Sequence, residues 1–445
     1  MKLTVLGGGG FRVPLVYRAL LGDDSAVTDL VLYDVDRARL DAIAAVLQQV
    51  QRADGRPGPN VSLSTDLAEA VGGADFVFSA IRVGGLVGRV CDERIALANG
   101  VLGQETTGAG GVCYGLRTVP VALEVAETVA EHAPGAYVIN FTNPAGMVTE
   151  AMSRVLGDRV IGICDSPVGM FKRVARALDI GFGDATFEYA GLNHLGWLRR
   201  VVVDGEDRLP GLLADRDRLI GIEEGRLFGP EWLETLGAVP NEYLWYWYYN
   251  ADAIAAIEAA EQTRGEYLVA QQAGFYASLG DTDPFGAWDR TRRAREESYM
   301  ADSRDSSGAG ERDEEDLDGG GYDKVALDLM HAIAHNRPAR LVLNVANSGT
   351  LPGLDSEAVV EVPCVVDSAG PRPLPAEPLA AYQQGVVTSV KDVERTTIEA
   401  ASAGSMRLAV RALALHPLVD SVTRARSILD EQVAQVPALA RVLRT

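Results

Sequence analysis

Apolar positions cluster at the start of the chain in short runs separated by helical patterns. Residues 3 to 6 form such a run and end in four glycines, after which "FRVPLVYRALL" has helical spacing. "DLVLYDVD" reads as a second buried strand, "RARLDAIAAVLQQVQ" as a helix and "VSLSTD" as a third strand. "ADFVFSAIRVGG" and "AYVINFTNPAG" read as strands ending in loops, with the helix "RTVPVALEVAETVAEHAP" between them. "DRVIGICD" makes a sixth strand. Strands alternating with helices predict a doubly wound parallel sheet of α/β class, because a parallel pair needs a crossover connection. This Rossmann-type unit is expected over 1–165.

The remainder, 166–445, predicts an α+β region that carries substrate and metal. Its strands are "FEYAGLNHLGWLRRVVVDG", "ARLVLNVANSG" and "AVVEVPCVVD", and its long helices lie near 250–278, 322–336 and 377–416. Residues 280–320 are rich in Asp, Arg and Gly and are expected to form a mobile loop.

Charge narrows the classes of function. The 445 residues carry a formal net charge of −21, which argues against a nucleic-acid surface. An anionic substrate would need a local arginine pocket. Apolar residues at 47% and charged residues at 23% are ordinary for a soluble enzyme, and no apolar run long enough to span a membrane occurs. The first residues enter a strand directly, without the pattern of a secretory signal. Cys91, Cys113, Cys164 and Cys364 show no paired spacing, so reduced thiols and a cytoplasmic location are expected.

"VLGGGG" after the first strand, with Asp34 closing "LVLYD", supplies the parts of a dinucleotide site. Gly7, Gly8, Gly9, Gly10 and Phe11 would let backbone N–H groups approach a pyrophosphate at a helix N-terminus. Asp34 would accept from the ribose hydroxyls and repel a 2′-phosphate, favouring NAD over NADP. The third glycine of G-x-G-x-x-G is replaced here by Arg12. As far as about residue 165 the chain is similar to lactate and malate dehydrogenases, but "NHLGW" does not supply their glycine-flanked catalytic histidine.

"GLVGRVCDERIALANGVLGQETTGAGG", "VINFTNPAGMVTEA", "IGICDSP", "GLNHLGW" and "PNEYLWYWYY", in that order, resemble glycoside hydrolase family 4, and "NSGTLPGLDSEAVVEVPCVVD" fits too. The resemblance implies an enzyme dependent on NAD and on Mn²⁺ or another divalent cation. The sugar would be oxidised at C3, lose its C2 proton and C1 leaving group, add water and be reduced again, outside the two-carboxylate rule. It implies Cys164 and His194 as metal ligands, Tyr243 as the base, Glu105 as its support and Asp165 as the acid on the leaving oxygen. Arg89, Asn143 and Arg264 become substrate contacts, and Arg82 lies near the nicotinamide. Without the resemblance, a buried cysteine, a core histidine and an aromatic helix face at Tyr243, Tyr246 and Trp247 are the plainer readings. Tyr246, Trp247, Tyr248 and Tyr249 are candidates for core or interface.

The expected substrate is a phosphorylated disaccharide or 6-phosphoglucoside, and the expected assembly a homodimer or homotetramer. The β-anomer is suggested by "GGLVGR" and "QETTG", whereas Asp165 is typical of α-specific members. A hexoside without phosphate, a hydroxy-acid dehydrogenase and a non-catalytic NAD-binding protein are the alternatives. His331 and His335 sit one helical turn apart without a glutamate or a third ligand, and no role is assigned to them, to His132 or to His416. The acidic run 312–318 reads as a solvated loop.

Overall fold

The computed structural model describes residues 1–22, 26–278, 283–312 and 321–443. Six short strands build the first half: β1 (Lys2–Leu6), β2 (Asp29–Tyr33), β3 (Asn60–Ser64), β4 (Phe76–Ser79), β5 (Tyr137–Asn140) and β6 (Val160–Gly162). They pair in parallel in the order β3-β2-β1-β4-β5-β6, the doubly wound order of a dinucleotide-binding sheet. β4 is buried along its whole length and β1 along all but its first residue, since helices cover both faces. Helix Arg37–Asp54 shows how sharply local signals act: the Asp36 side chain caps its start by accepting from the Arg39 amide, and Gly55 at φ +76° ends it.

The sheet does not stop at β6. β11 (Ala339–Ala346) pairs antiparallel with it and with β12 (Val359–Asp367), which continues to β7 (Thr186–Leu192), β8 (Leu195–Val203) and the two-residue β10 (Val239–Pro240). β9 (Glu206–Asp207) and β13 (Gly370–Pro373) pair at the side with β8 and β12. One hydrophobic core runs from Leu3 and Val5 through Ile161 and Ile163 to Trp197, Leu343 and Val362. The expected α+β region is thus an antiparallel extension of the parallel sheet.

The span expected as a mobile loop differs from that reading where it is described. Residues 283–312 hold the helices Pro284–Glu297 and Ala301–Ser307. Trp288 is fully buried and donates its indole N–H to the Phe11 carbonyl at 2.8 Å. The charged residues that suggested solvent turn inward and pair: Arg292 with Asp289, and Glu296 with Arg12 and Arg312. Residues 279–282 and 313–320, with most of the acidic run, lie outside the described residues. Among the described residues no helix is long and apolar enough to cross a membrane.

Candidate active site

The carboxyl ends of β1, β2, β4, β5 and β6 open into one cavity of about 1780 Å³. Its wall includes Gly7, Gly10 and Phe11 after β1, Asp34 after β2, Arg82 after β4, Asn143 after β5, and Cys164 and Asp165 after β6. Crevices at this edge are where open α/β sheets bind ligands. Arg89, Glu105, His194, Tyr243 and Arg264 line the same space, so folding gathers chemistry that is spread over 258 residues of sequence, from Gly7 to Arg264.

At the glycine end, Gly7 adopts φ +83° and a Cβ there would sit 2.7 Å from the Ala80 carbonyl oxygen. Gly8 and Gly9 are not part of the cavity wall. A Cβ on Gly8 would meet the Leu32 Cβ at 2.7 Å, and one on Gly9 the Arg39 Cβ at 2.6 Å, so both serve close packing of the turn. Asp34 accepts from the Gly9 amide at 3.1 Å and, through its other oxygen, from the Asp36 amide at 3.1 Å. The Tyr276 hydroxyl closes this end by donating to the Gly9 carbonyl at 2.7 Å.

Glu105 acts on Tyr243 through its charge, and the hydrogen bonds of its carboxylate go to two arginines. Its two oxygens are held by Arg82 at 2.6 Å and Arg89 at 2.8 Å, while Arg89 also bonds Glu93 at 2.7 Å. Burial opposes the charge of Glu105, but the two arginines outweigh it and hold the carboxyl down to about 2. Glu93 in turn accepts from the Gly265 amide at 2.7 Å, which ties helix Gly85–Ala98 to the start of the helix carrying Arg264.

His194 sits in the turn between β7 and β8 at φ +61°. Burial lowers its pKa to about 4, so the imidazole is neutral, as a metal ligand must be. Thr106 Oγ lies 3.2 Å from Nδ1, leaving Nε2 for a ligand. Tyr243 reaches the same place from the short turn Glu242–Leu244. β10 pairs Pro240 with Trp197, the Asn241 amide donates to the Gly196 carbonyl at 2.9 Å, and Asn241 Oδ1 accepts from the Tyr243 amide at 3.1 Å. The Tyr243 ring stacks on His194 with centroids 3.6 Å apart.

Burial, then Glu361 and Asp165, push the Cys164 thiol well up, and burial raises Asp165. A dication is the group that would draw such a thiol into its thiolate form. The donor chemistry therefore fits a catalytic metal held by Cys164 and His194, with further positions left for substrate oxygens. His331 and His335 do not line this cavity, their ring centroids lie 5.8 Å apart, and no group of three potential ligands occurs among the described residues.

Several participants escape sequence reasoning. The Tyr299 hydroxyl donates to Glu242 Oε1 at 2.8 Å and lies 3.0 Å from the Tyr243 hydroxyl. Arg264 donates to Ser298 Oγ at 2.7 Å and to the Arg295 carbonyl at 2.8 Å. The Arg295 guanidinium lies over the Phe11 ring at 6.0 Å. Burial, then Arg12 and Arg264, lower its pKa to about 9. Ser298, Tyr299 and Arg295 all fall in the span whose composition suggested a loop. Tyr246 is buried and also lines the cavity, while Trp247 stacks on His416 at 5.4 Å.

Comparison with known proteins agrees with this geometry. The family 4 glycosyl hydrolase model matches residues 2–180, and the family 4 glycosyl hydrolase C-terminal domain matches 189–419. The chain is 31% identical to a probable 6-phospho-beta-glucosidase of Bacillus subtilis, covering 97% of this chain and 96% of that one. It is 30% identical to a maltose-6′-phosphate glucosidase of the same organism, over 97% and 95%. Among solved structures it is similar to the 6-phospho-beta glucosidase of Thermotoga maritima with manganese, NAD⁺ and glucose-6-phosphate. That likeness has a TM-score of 0.83 at 26% identity and covers 100% and 99% of the two chains. A 6-phospho-alpha-glucosidase from gut microorganisms, in complex with NAD and Mn²⁺, gives 0.83 and 26% over 100% and 99%. The chain belongs to the family 4 glycosyl hydrolases.

Proposed function

We propose that the protein hydrolyses a 6-phosphorylated glucoside, with the β-anomer as the first reading. The observation that carries the phosphate is the pair Arg264 and Arg295. Both guanidinium groups share the cavity with Cys164 and His194, and neither has a carboxylate partner among the described residues. Glu296 favours both charges without pairing with either, and buried cations with no directly bonded carboxylate suit a dianionic ligand. Arg89 and Asn143 complete the proposed sugar contacts.

When bound, NAD supplies a hydride acceptor and donor for C3 of the sugar, and a divalent ion held by Cys164 and His194 supplies a Lewis acid. The residues do the rest. Gly7, Gly10 and Phe11 give the cofactor a close backbone approach, and Asp34 takes the ribose end. Arg82, fixed by Glu105, would face the nicotinamide end. Tyr243 removes the C2 proton, and Asp165 carries the proton that the leaving oxygen needs, since burial favours its acid form. Departure of the aglycone and addition of water complete a hydrolysis, which would show no net redox change.

Relatives of both types are similar to the chain, a probable 6-phospho-beta-glucosidase at 31% identity and a 6-phospho-alpha-glucosidase at 30%, so the β reading rests on the "GGLVGR" and "QETTG" motifs. The α-anomer is the second reading, favoured by Asp165 itself, a buried carboxyl able to serve as an acid. Free thiols at all four cysteines support the expected cytoplasmic location. A panel of α- and β-p-nitrophenyl hexosides tests the proposal, each with and without a 6-phosphate, assayed with NAD⁺, Mn²⁺ and reductant. Release confined to 6-phosphorylated β-glucosides is expected. Release from the α-series only would replace the anomer, and equal rates without phosphate would remove the phosphate. No release from any glycoside would favour a non-catalytic NAD-binding protein.

A further inference from the structure

The registers of four strands align Gly162, Asn344, Glu361 and Gly191 in one transverse row. Gly162 on β6 pairs with Asn344 on β11, Asn344 with Glu361 on β12, and Glu361 with Gly191 on β7. The row ends two residues before Cys164 and three before His194. Its side chains are tightly fitted: a Cβ on Gly162 would lie 2.7 Å from that of Asn344.

Glu361 is fully buried in this row, and both of its oxygens only accept. Asn193 and Asn344 donate to Oε1 at 3.1 and 2.9 Å, and the Tyr189 hydroxyl donates to Oε2 at 3.0 Å. All three donors are neutral. Asp92, Glu93, Glu150 and Glu224, also buried, are each paired to an arginine or lysine. Glu361 has no such partner among the described residues. A buried carboxylate without a cation costs several kcal/mol, a cost that a nearby positive charge offsets.

The missing counter-charge has an address. Asn193, which Glu361 holds, immediately precedes His194 in the tight β7–β8 turn, where the non-glycine φ of +61° needs support from its neighbours. We propose that Glu361 is the buried counter-charge of the divalent-cation site and the positioning residue of its histidine ligand. A thiolate and a neutral imidazole leave a dication with one uncompensated charge, which one carboxylate beneath the site neutralises. The inference rests on Cys164 and His194 being the ligands, as proposed above.

Glu361→Gln tests it with the shape kept. The glutamine oxygen still accepts from both asparagines, and its NH₂ group can donate to the Tyr189 hydroxyl. Mn²⁺ binding is measured on the full-length protein by the electron paramagnetic resonance of free Mn²⁺, alongside NAD⁺ affinity and metal-free melting. Expected is Mn²⁺ affinity weaker by about 10- to 100-fold, with NAD⁺ affinity unchanged and the metal-free melting temperature equal or higher. Wild-type Mn²⁺ affinity in the variant would overturn the proposal. So would a parallel loss of NAD⁺ affinity and metal-free stability, which marks a merely structural carboxylate. If the glutamine variant does not fold, Glu361→Asp, which keeps the charge, is expected to retain Mn²⁺ affinity within about threefold. A loss as deep as that of Cys164→Ser would refute it. Wild-type protein that binds no Mn²⁺ at all would sink the metal reading itself, and this one with it.

Discussion

The imidazole of His194 lies face to face with the phenol of Tyr243, centroids 3.6 Å apart and planes within 5° of parallel. A phenol in this position is a poor base by itself, because burial and then Glu242 push its pKa well above the usual range. A dication held by His194 would lower it again, since the tyrosinate would then have a positive charge nearby. Tyr243→Phe is therefore expected to lower kcat by at least about 100-fold, with NAD⁺ affinity unchanged. Steady-state kinetics beside a fluorescence titration of NAD⁺ checks this. A variant that keeps most of its kcat would assign the base elsewhere.

Arg295 offers a sharper test of substrate chemistry than any residue in the recognised motifs. Arg295→Ala should raise KM for a 6-phosphorylated substrate by about 100-fold, the worth of a buried charge-assisted contact. Inorganic phosphate should inhibit the variant correspondingly less than the wild type. Unchanged KM and unchanged phosphate inhibition would take Arg295 out of the anion site.

Asp34 uses one oxygen for the Gly9 amide and the other for the Asp36 amide, so it shapes the glycine turn, and in the proposed site its charge would also meet the ribose. Asp34→Asn should weaken NAD⁺ by about tenfold or more and narrow the preference for NAD⁺ over NADP⁺. Titrations with the two cofactors measure both. An unaltered preference would mean that the carboxylate serves the turn alone.

His416, which lines a small pocket together with Thr106, Asn193 and His194, gives the protein an acid-sensitive joint. Burial lowers its pKa to about 4, its Nδ1 accepts from the Leu418 amide at 3.1 Å, and its ring stacks on Trp247. A depressed folded-state pKa means that its stability contribution is complete above the unfolded value of about 6.5 and is lost as pH falls towards 4, by about 3 kcal/mol in all. His416→Asn should thus melt lower at pH 7 but lose less between pH 6.5 and 4 than the wild type. Parallel melting profiles across that window would contradict it.

The parallel half of the fold was legible in the sequence because each strand is a short buried run and each crossover helix carries its own period. Asp36 and Gly55 even mark the ends of one helix. Helix Gly85–Ala98 was not legible: its inner face holds Arg89, Asp92 and Glu93, so burial there does not look apolar. The same inversion hid helix Pro284–Glu297, where Arg292 and Glu296 are buried among ion pairs and Trp288 alone signals a core. Cys164 and His194 were named as ligands only through the family resemblance, since on their own a buried thiol and a core imidazole were the plainer readings. Arg295, Tyr299 and Glu361 act through partners far away in sequence, and that pairing exists only in the folded chain. Gly8 and Gly9 show the converse, a motif read for its ligand in which two members serve packing.

The most direct test of the whole account is a kinetic isotope measurement on a 6-phosphoglucoside deuterated at C2, assayed with and without added NAD⁺. The account predicts a primary isotope effect on kcat/KM, strict dependence on NAD⁺ and no accumulation of NADH. Hydrolysis at full rate without NAD⁺ by cofactor-free protein, with no isotope effect at C2, would contradict it.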